Sequence, residues 1–126
     1  MNVVDSSGWL EYFADGPNAK IFSVPLQDVN NLIVPTISIY EVFKVVLRER
    51  GEDPAFQAIA LMRQGRVVDL TSEIAIQPAK VSLDYNIPMA DSIIMTTAQM
   101  YEATVWTQDD DFEKKAGVKY FPKREG

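Results

Sequence analysis

The 126-residue chain contains no histidine and no cysteine, and these two absences exclude much of enzyme chemistry. Without histidine there is no Ser-His-Asp triad and no histidine-ligated zinc. Without cysteine there is no thiol nucleophile, zinc finger or disulfide. Any metal must therefore bind to oxygen ligands, the donors that Mg²⁺ and Mn²⁺ prefer. The lack of disulfides suits a reducing cytoplasm, where we expect the protein to act.

Long apolar runs are also missing, since no stretch approaches the about 20 residues that a membrane helix needs. Residues 1–5 show neither the basic nor the apolar region of a signal peptide, so we expect no secretory signal and no membrane partner. With 47% hydrophobic and 24% charged residues, the chain is expected to form one domain over residues 1–126. Its net charge of −6 is unusual for a nucleic-acid-binding protein, because most of these are basic.

Short apolar segments alternate with amphipathic ones along the chain. The apolar segments are nearly all of strand length, as strands covered on both faces should be. This alternation predicts an α/β fold with a central, mostly parallel sheet. Strands are predicted over 2–4, 32–34, 67–70, 104–107 and 118–121. Helices are predicted over about 6–15, 19–29, 36–50 with Thr36 as the N-cap, 53–64, 72–85 and 88–102, with a short acidic helix after 107.

Two aspartates directly follow predicted strands. Asp5 follows the first strand, and Asp109 follows the strand over 104–107. In open parallel sheets, ligand sites lie outside the carboxyl ends of the strands, so both acids are placed for chemistry. Each also fits a purely structural role as a helix cap, and the pattern leaves both roles open.

Two further acids lie on otherwise apolar helix faces. Glu41 shares a face with Ile37 and Val45, and Asp91 shares one with Ile94. An aspartate in a first turn is ordinarily explained by the helix dipole. However, burying an ionised carboxylate is costly unless it is paired or bound to a metal. Clustered carboxylates repel one another, and a divalent cation would compensate them and part of the net charge.

Four segments, in this order and spacing, resemble the PIN domain, and in particular the VapC toxins of toxin–antitoxin pairs. The resemblance covers the whole chain. It implies a three-layer α/β/α sandwich around a parallel sheet, and Mg²⁺- or Mn²⁺-dependent endoribonuclease activity on RNA. It also implies a cognate antitoxin whose tail enters the acidic site, and a homodimer. The segments are Val3-Val4-Asp5-Ser6-Ser7-Gly8-Trp9-Leu10, Thr36-Ile37-Ser38-Ile39-Tyr40-Glu41-Val42, Pro88-Met89-Ala90-Asp91-Ser92-Ile93-Ile94 and Thr107-Gln108-Asp109-Asp110-Asp111-Phe112.

The resemblance also implies roles for individual positions. Ser7 and Thr107 match hydroxyl positions near the metal, and Asp111 matches a further acid of variable role. Gln108 departs from the family, where Asn or Arg is more familiar. Three consecutive acids leave open which of them reaches the metal, and the first is favoured because it lies closest to the strand end. The positions that match the catalytic and metal-site acids are Asp5, Glu41, Asp91 and Asp109.

Positive charge for binding RNA is concentrated between residues 44 and 66. Arg48 and Arg63 are candidate phosphate contacts, and the alternative is a solvated face paired with acids such as Glu49. The helix pair in this region is rich in apolar residues that are mostly expected in the core, with some available for a dimer or antitoxin surface. These residues are Phe43, Val46, Leu47, Phe56, Ile59 and Leu61.

Two other functions compete with a toxin ribonuclease. One is another Mg²⁺-dependent phosphoryl-transfer domain. A phosphatase-like domain needs a second aspartate where Ser7 stands, and a receiver domain needs a lysine where Thr107 and Gln108 stand. The other is a non-catalytic PIN-like binding module, which would keep the fold without the activity.

Overall fold

The computed structural model describes residues 1–125, and its centre is a sheet of five parallel strands in the order β3-β2-β1-β4-β5. Each strand is only three or four residues long. The first strand in the sequence is therefore the middle strand of the sheet. The strands are β1 (Asn2–Val4), β2 (Leu32–Pro35), β3 (Arg66–Val68), β4 (Thr104–Thr107) and β5 (Val118–Tyr120).

Helices connect the strands and cover both faces of the sheet. Short 3₁₀ turns precede β2 at Val29–Asn31 and follow β4 at Asp110–Phe112. Among residues 1–125, no helix is long and apolar enough to cross a membrane. The helices are α1 (Ser6–Phe13), α2 (Ala19–Gln27), α3 (Thr36–Arg50), α4 (Glu52–Met62), α5 (Ser72–Tyr85) and α6 (Met89–Met100).

Successive residues of the central strands supply two separate cores. Val4 and Val34 pack on one face with apolar residues of α1 to α4. Val3 and Ile33 pack on the other face, mainly with apolar residues of α5 and α6. Side chains alternate between the two faces along a strand. Adjacent residues that pack into two different cores must therefore both be apolar. The predicted three-layer α/β/α sandwich is confirmed.

The predicted mostly parallel sheet is confirmed, since all its strand pairs are parallel. The structure differs from the sequence prediction at the ends of several elements, such as β3, which covers Arg66–Val68 where a strand over 67–70 was predicted. Thr36 is not the N-cap of α3, because β2 runs directly into the helix. The cap position falls on Pro35, which has φ −65° and ψ 140° and makes no side-chain capping bond, so Thr36 becomes the first helical residue.

Candidate metal centre

Two strands that are far apart in the sequence end side by side in the sheet. β1 and β4 pair with Val4 opposite Trp106, so the residues that follow them emerge at the same edge. The backbone N–H of Asp5 donates to the Trp106 carbonyl at 3.1 Å and extends this pairing. Asp5 and Asp109 therefore reach the carboxyl-terminal edge of the sheet, where ligand sites form.

The Asp5 carboxylate is buried, with 2% of the residue exposed, and three donors fix its position. Ser7 Oγ donates to Oδ1 at 2.7 Å, and the Gly8 N–H donates to the same oxygen at 3.1 Å. Thr107 Oγ1 donates to Oδ2 at 2.7 Å. Burial raises the pKa of Asp5 to about 6, although the hydrogen bonds from Ser7, Thr107 and Gly8 oppose that change.

Three further carboxylates converge beside this strand end. Asp91, Asp109 and Asp111, here called the acidic triad, each place a carboxylate oxygen within 4.8 Å of the other two. Asp91 comes from the first turn of α6. Asp109 caps the 3₁₀ turn after β4, since its Oδ1 accepts from the N–H of Asp111 at 3.0 Å. Asp110 is exposed and does not belong to the triad.

Asp91 experiences the charge of every acid that the sequence singled out. Its pKa is raised to about 7, first by burial and then by the carboxylates of Asp109, Asp5, Asp111 and Glu41, in that order. Carboxylates repel one another in this way only when they share one region of space. All five acids therefore form a single electrostatic cluster around Asp91.

Glu41 lies at the margin of this cluster. It is partly buried in the second turn of α3 and accepts a hydrogen bond from Ser6 Oγ at the start of α1. Its effect on the pKa of Asp91 is the smallest of the four carboxylates. Glu41 thus joins α3 to α1 and adds negative charge at the side of the site.

The donor set fits a hard divalent cation. All its members are carboxylates, and Mg²⁺ and Mn²⁺ favour such oxygen ligands. The triad oxygens lie within 4.8 Å of one another, so one ion could contact all three residues. Within residues 1–125, the one salt bridge joins Arg48 to Glu49 on the surface at 3.6 Å, so no protein cation neutralises the cluster.

The PIN domain profile matches residues 3–118, which is most of the chain. The chain belongs to the PIN domain family. The resemblance read from the four sequence segments is thereby confirmed at the level of the family. No curated protein sequence matches the chain significantly.

Solved structures reproduce the fold of this PIN domain at low sequence identity. A toxin–antitoxin complex from Klebsiella pneumoniae matches with a TM-score of 0.80 and 17% identity, over 97% of this chain and 99% of that chain. VapC20 of Mycobacterium tuberculosis, described as a toxin that cleaves the sarcin–ricin loop, matches with a TM-score of 0.79 and 15% identity, over 97% and 100%. FitAcB from Neisseria gonorrhoeae matches with a TM-score of 0.70 and 20% identity, over 96% of each chain.

The arrangement of the basic residues in this PIN domain is compatible with one of the two alternatives read from the sequence, a solvated face paired with acids. Arg48 and Arg63 are both exposed, and Arg48 lies 3.6 Å from Glu49. A groove of about 520 Å³ runs from Ser7 and Gln108 between α1, α3 and α4. Its cationic lining residues are Arg50 and Lys123, and neither Arg48 nor Arg63 lines it.

Sequence reasoning missed a buried polar network beside the strand end. Asn18, with 1% exposure, donates from Nδ2 to Gln108 Oε1 at 3.0 Å and accepts from Arg124 Nε at 2.6 Å. Gln108 had attracted notice only as a departure from the family pattern. Asn18 follows the Gly16–Pro17 helix break, and a polar residue after such a break resembles any loop residue, so no local signal marked it.

Proposed function

We propose that this PIN domain is a Mg²⁺- or Mn²⁺-dependent endoribonuclease that acts as the toxin of a toxin–antitoxin pair. The observation that carries the proposal is the acidic triad of Asp91, Asp109 and Asp111, with the fixed carboxylate of Asp5 beside it. Burial and repulsion raise the pKa of Asp91 to about 7, so the ionised form of the cluster is unfavourable unless a cation binds there. Such a cost is typical of functional sites.

The triad would hold a divalent cation, which would supply Lewis-acid activation of a water and stabilisation of the charge that develops on the phosphodiester. Ser7 and Thr107 hold Asp5 in place, so that its charge faces the site in one fixed orientation. Glu41 adds negative charge at the margin. In-line attack by water would break the bond from phosphorus to the 3′ oxygen and leave a 5′-phosphate and a 3′-hydroxyl. No protein nucleophile is required, in keeping with a chain that lacks histidine and cysteine.

The groove between α1, α3 and α4 is the surface that we assign to the cognate antitoxin. Its floor is largely apolar, including Leu10, Phe13 and Leu61, and it begins at Ser7 beside the acids. A similar structure is that of a toxin–antitoxin complex, and a second is that of a toxin. An antitoxin segment in the groove would place its end at the acidic triad and block access to it.

A basic surface is needed to hold RNA next to a negatively charged site. Arg50 and Lys123 line the groove beside Ser7, together with Glu11 and Glu49, whereas Arg48 and Arg63 are exposed and do not line it. Replacing each pair with alanine separates the two surfaces. Replacement of the pair that binds phosphates should weaken RNA binding and leave Mn²⁺ binding unchanged.

We also propose that the protein forms a homodimer. Ile76 and Leu83 lie two turns apart on α5 and are 70% and 85% exposed. Exposed apolar side chains of this size on one helix suit a contact with a second copy. Sedimentation of the purified protein, with Leu83→Glu as the interface variant, tests the assembly state directly.

The decisive experiment measures RNA cleavage with Mg²⁺, with excess EDTA, and with the variants Asp5→Asn and Asp91→Asn. We expect cleavage to stop in EDTA and in both variants, while Asp110→Asn, an equal charge change outside the triad, keeps it. Undiminished cleavage in EDTA or in Asp91→Asn would refute the metal mechanism. Intact folding, Mn²⁺ binding and partner binding without any cleavage would instead identify a non-catalytic PIN module.

A further inference from the structure

A chain of hydrogen bonds connects the segment after β5 to the strand end that carries the site. Asn18 is its centre. Its Nδ2 donates to Gln108 Oε1 and to the Pro122 carbonyl, both at 3.0 Å, and its Oδ1 accepts from Arg124 Nε at 2.6 Å. Arg124 also donates from Nη2 to the Pro17 carbonyl at 2.7 Å. Asn18, Gln108 and Arg124 are called the amide latch below.

Two members of the latch are buried, and every polar atom of the Asn18 side chain has a hydrogen-bond partner. Asn18 is 1% exposed and Gln108 is 8% exposed, so water is not a ready substitute for either partner. A buried amide whose partner is lost keeps the full cost of its desolvation, and the three connected bonds therefore favour one arrangement. The guanidinium of Arg124 acts here as a hydrogen-bond donor to an amide and a carbonyl.

Gln108 is the member that touches the site, because it lies between two site residues in the sequence. Thr107 before it donates to the Asp5 carboxylate, and Asp109 after it belongs to the acidic triad. The Gln108 N–H lies 3.4 Å from Ser7 Oγ. Its side chain leads away from the acids to Asn18. The backbone over 107–109 is thus held from one side by the site and from the other by the latch.

We propose that the amide latch is a positioning device that holds Asp109 at the distance from Asp91 that a divalent cation requires. This inference rests on the proposed metal site. It assigns a purpose to the glutamine that departs from the family pattern, and to Asn18 and Arg124, which no catalytic role explains. A shift of the 107–109 backbone would separate the carboxylate oxygens of Asp91 and Asp109.

The test measures the Kd for Mn²⁺ by calorimetry on protein freed of metal. Outer-shell partners of metal ligands typically change affinity by about 10–100-fold, and we expect roughly five- to ten-fold weaker binding for Gln108→Leu and Arg124→Ala. Asn18→Asp retains the acceptor for Arg124 but loses the donor to Gln108, so it should match Gln108→Leu. Lys20→Ala removes one positive charge from an exposed position on α2 and should leave the Kd unchanged.

Further arms separate positioning from general destabilisation. Arg124 is exposed, so its alanine variant leaves both cores intact and is expected to fold. The double variant Gln108→Leu, Arg124→Ala should bind Mn²⁺ no more weakly than the weaker single variant, because both act through Asn18. Amide hydrogen exchange over 107–111 in EDTA should be faster in each latch variant than in Lys20→Ala.

The outcomes distinguish this inference from the proposed function. If the unsubstituted protein binds Mn²⁺ and every latch variant has a Kd within two-fold of it, the latch does not position the triad. If the unsubstituted protein binds no Mn²⁺, the proposed function is refuted, and unchanged exchange over 107–111 would refute the latch as well.

Discussion

Replacing Asp91 with asparagine should stabilise the metal-free protein and abolish its metal binding. Asparagine keeps the shape of the side chain and removes the charge on which the other carboxylates act. The same residue would thus be unfavourable for folding and required for function, the trade-off expected of a site that works with a cation.

The magnitude follows from two opposing contributions. Raising the pKa of Asp91 from 3.8 to about 7 corresponds to about 4 kcal/mol at about 1.4 kcal/mol per pKa unit. Asp91 is partly exposed, and solvent screening reduces this to about 1–2 kcal/mol. Asp91 also lies in the first turn of α6, where losing its attraction to the helix dipole costs about 0.5 kcal/mol. The net gain of about 1 kcal/mol should raise the Tm by roughly 3–5 °C.

The sign of the effect depends on pH. Because the folded-state pKa lies above the unfolded value, the cost of Asp91 is absent below about pH 4 and complete above about pH 7. The assay is thermal unfolding in EDTA at pH 5 and pH 8, and the gain should be larger at pH 8. Excess Mn²⁺ should reverse the order, since only the unsubstituted protein binds it.

Asp110→Asn is the matched control, because it removes an equal charge from an exposed neighbour outside the triad and should change stability by less than about 0.5 kcal/mol. An Asp91→Asn protein that is no more stable in EDTA at pH 8, or that gains equally at both pH values, would refute the reasoning.

Other measurements follow from the same geometry. The apparent Kd for Mn²⁺ should fall from pH 6 to pH 8 as Asp91 loses its proton, and a flat profile would contradict its raised pKa. Thr107→Val should cost about 1–2 kcal/mol in urea unfolding, because it removes a donor to buried Asp5; an unchanged midpoint would count against that bond. Thr96→Val should be neutral or stabilising, because Thr96 Oγ1 is buried with no hydrogen-bond partner among residues 1–125. Gly8→Ala should cost about 1–3 kcal/mol, since a Cβ there would lie 2.5 Å from a β1 side chain, and an unaltered Tm would show that the contact relaxes.

The local elements of the fold were predictable because their signals are local. Val3 and Val4 are both apolar since one faces each core, and this pattern indicated a strand covered on two sides. The strand order was not predictable in the same way. Five short apolar strands with similar flanking helices carry no local mark of which one is central, and pairing of β1 with β4 depends on contacts across most of the chain.

The acids show the same division between local and long-range information. Glu41 and Asp91 drew notice because each lies on an apolar helix face, and the structure places both in one electrostatic cluster. The choice among the three consecutive acids depended on the 3₁₀ turn, which directs Asp109 and Asp111 to the same side. The contact between Asn18 and Gln108 joins positions 90 residues apart, and neither residue type predicts the other.

The central position of β1 has a consequence for synthesis of the protein. Thr107, the hydrogen-bond partner of Asp5, is synthesised 102 positions after it, which takes about 5–20 s at ordinary elongation rates. A nascent chain that ends before residue 91 therefore carries Asp5 and Glu41 without any acid of the triad. The same division lets the protein be split in the exposed residues 69–71: neither half holds the full acid cluster, and activity would report that the halves have reassembled.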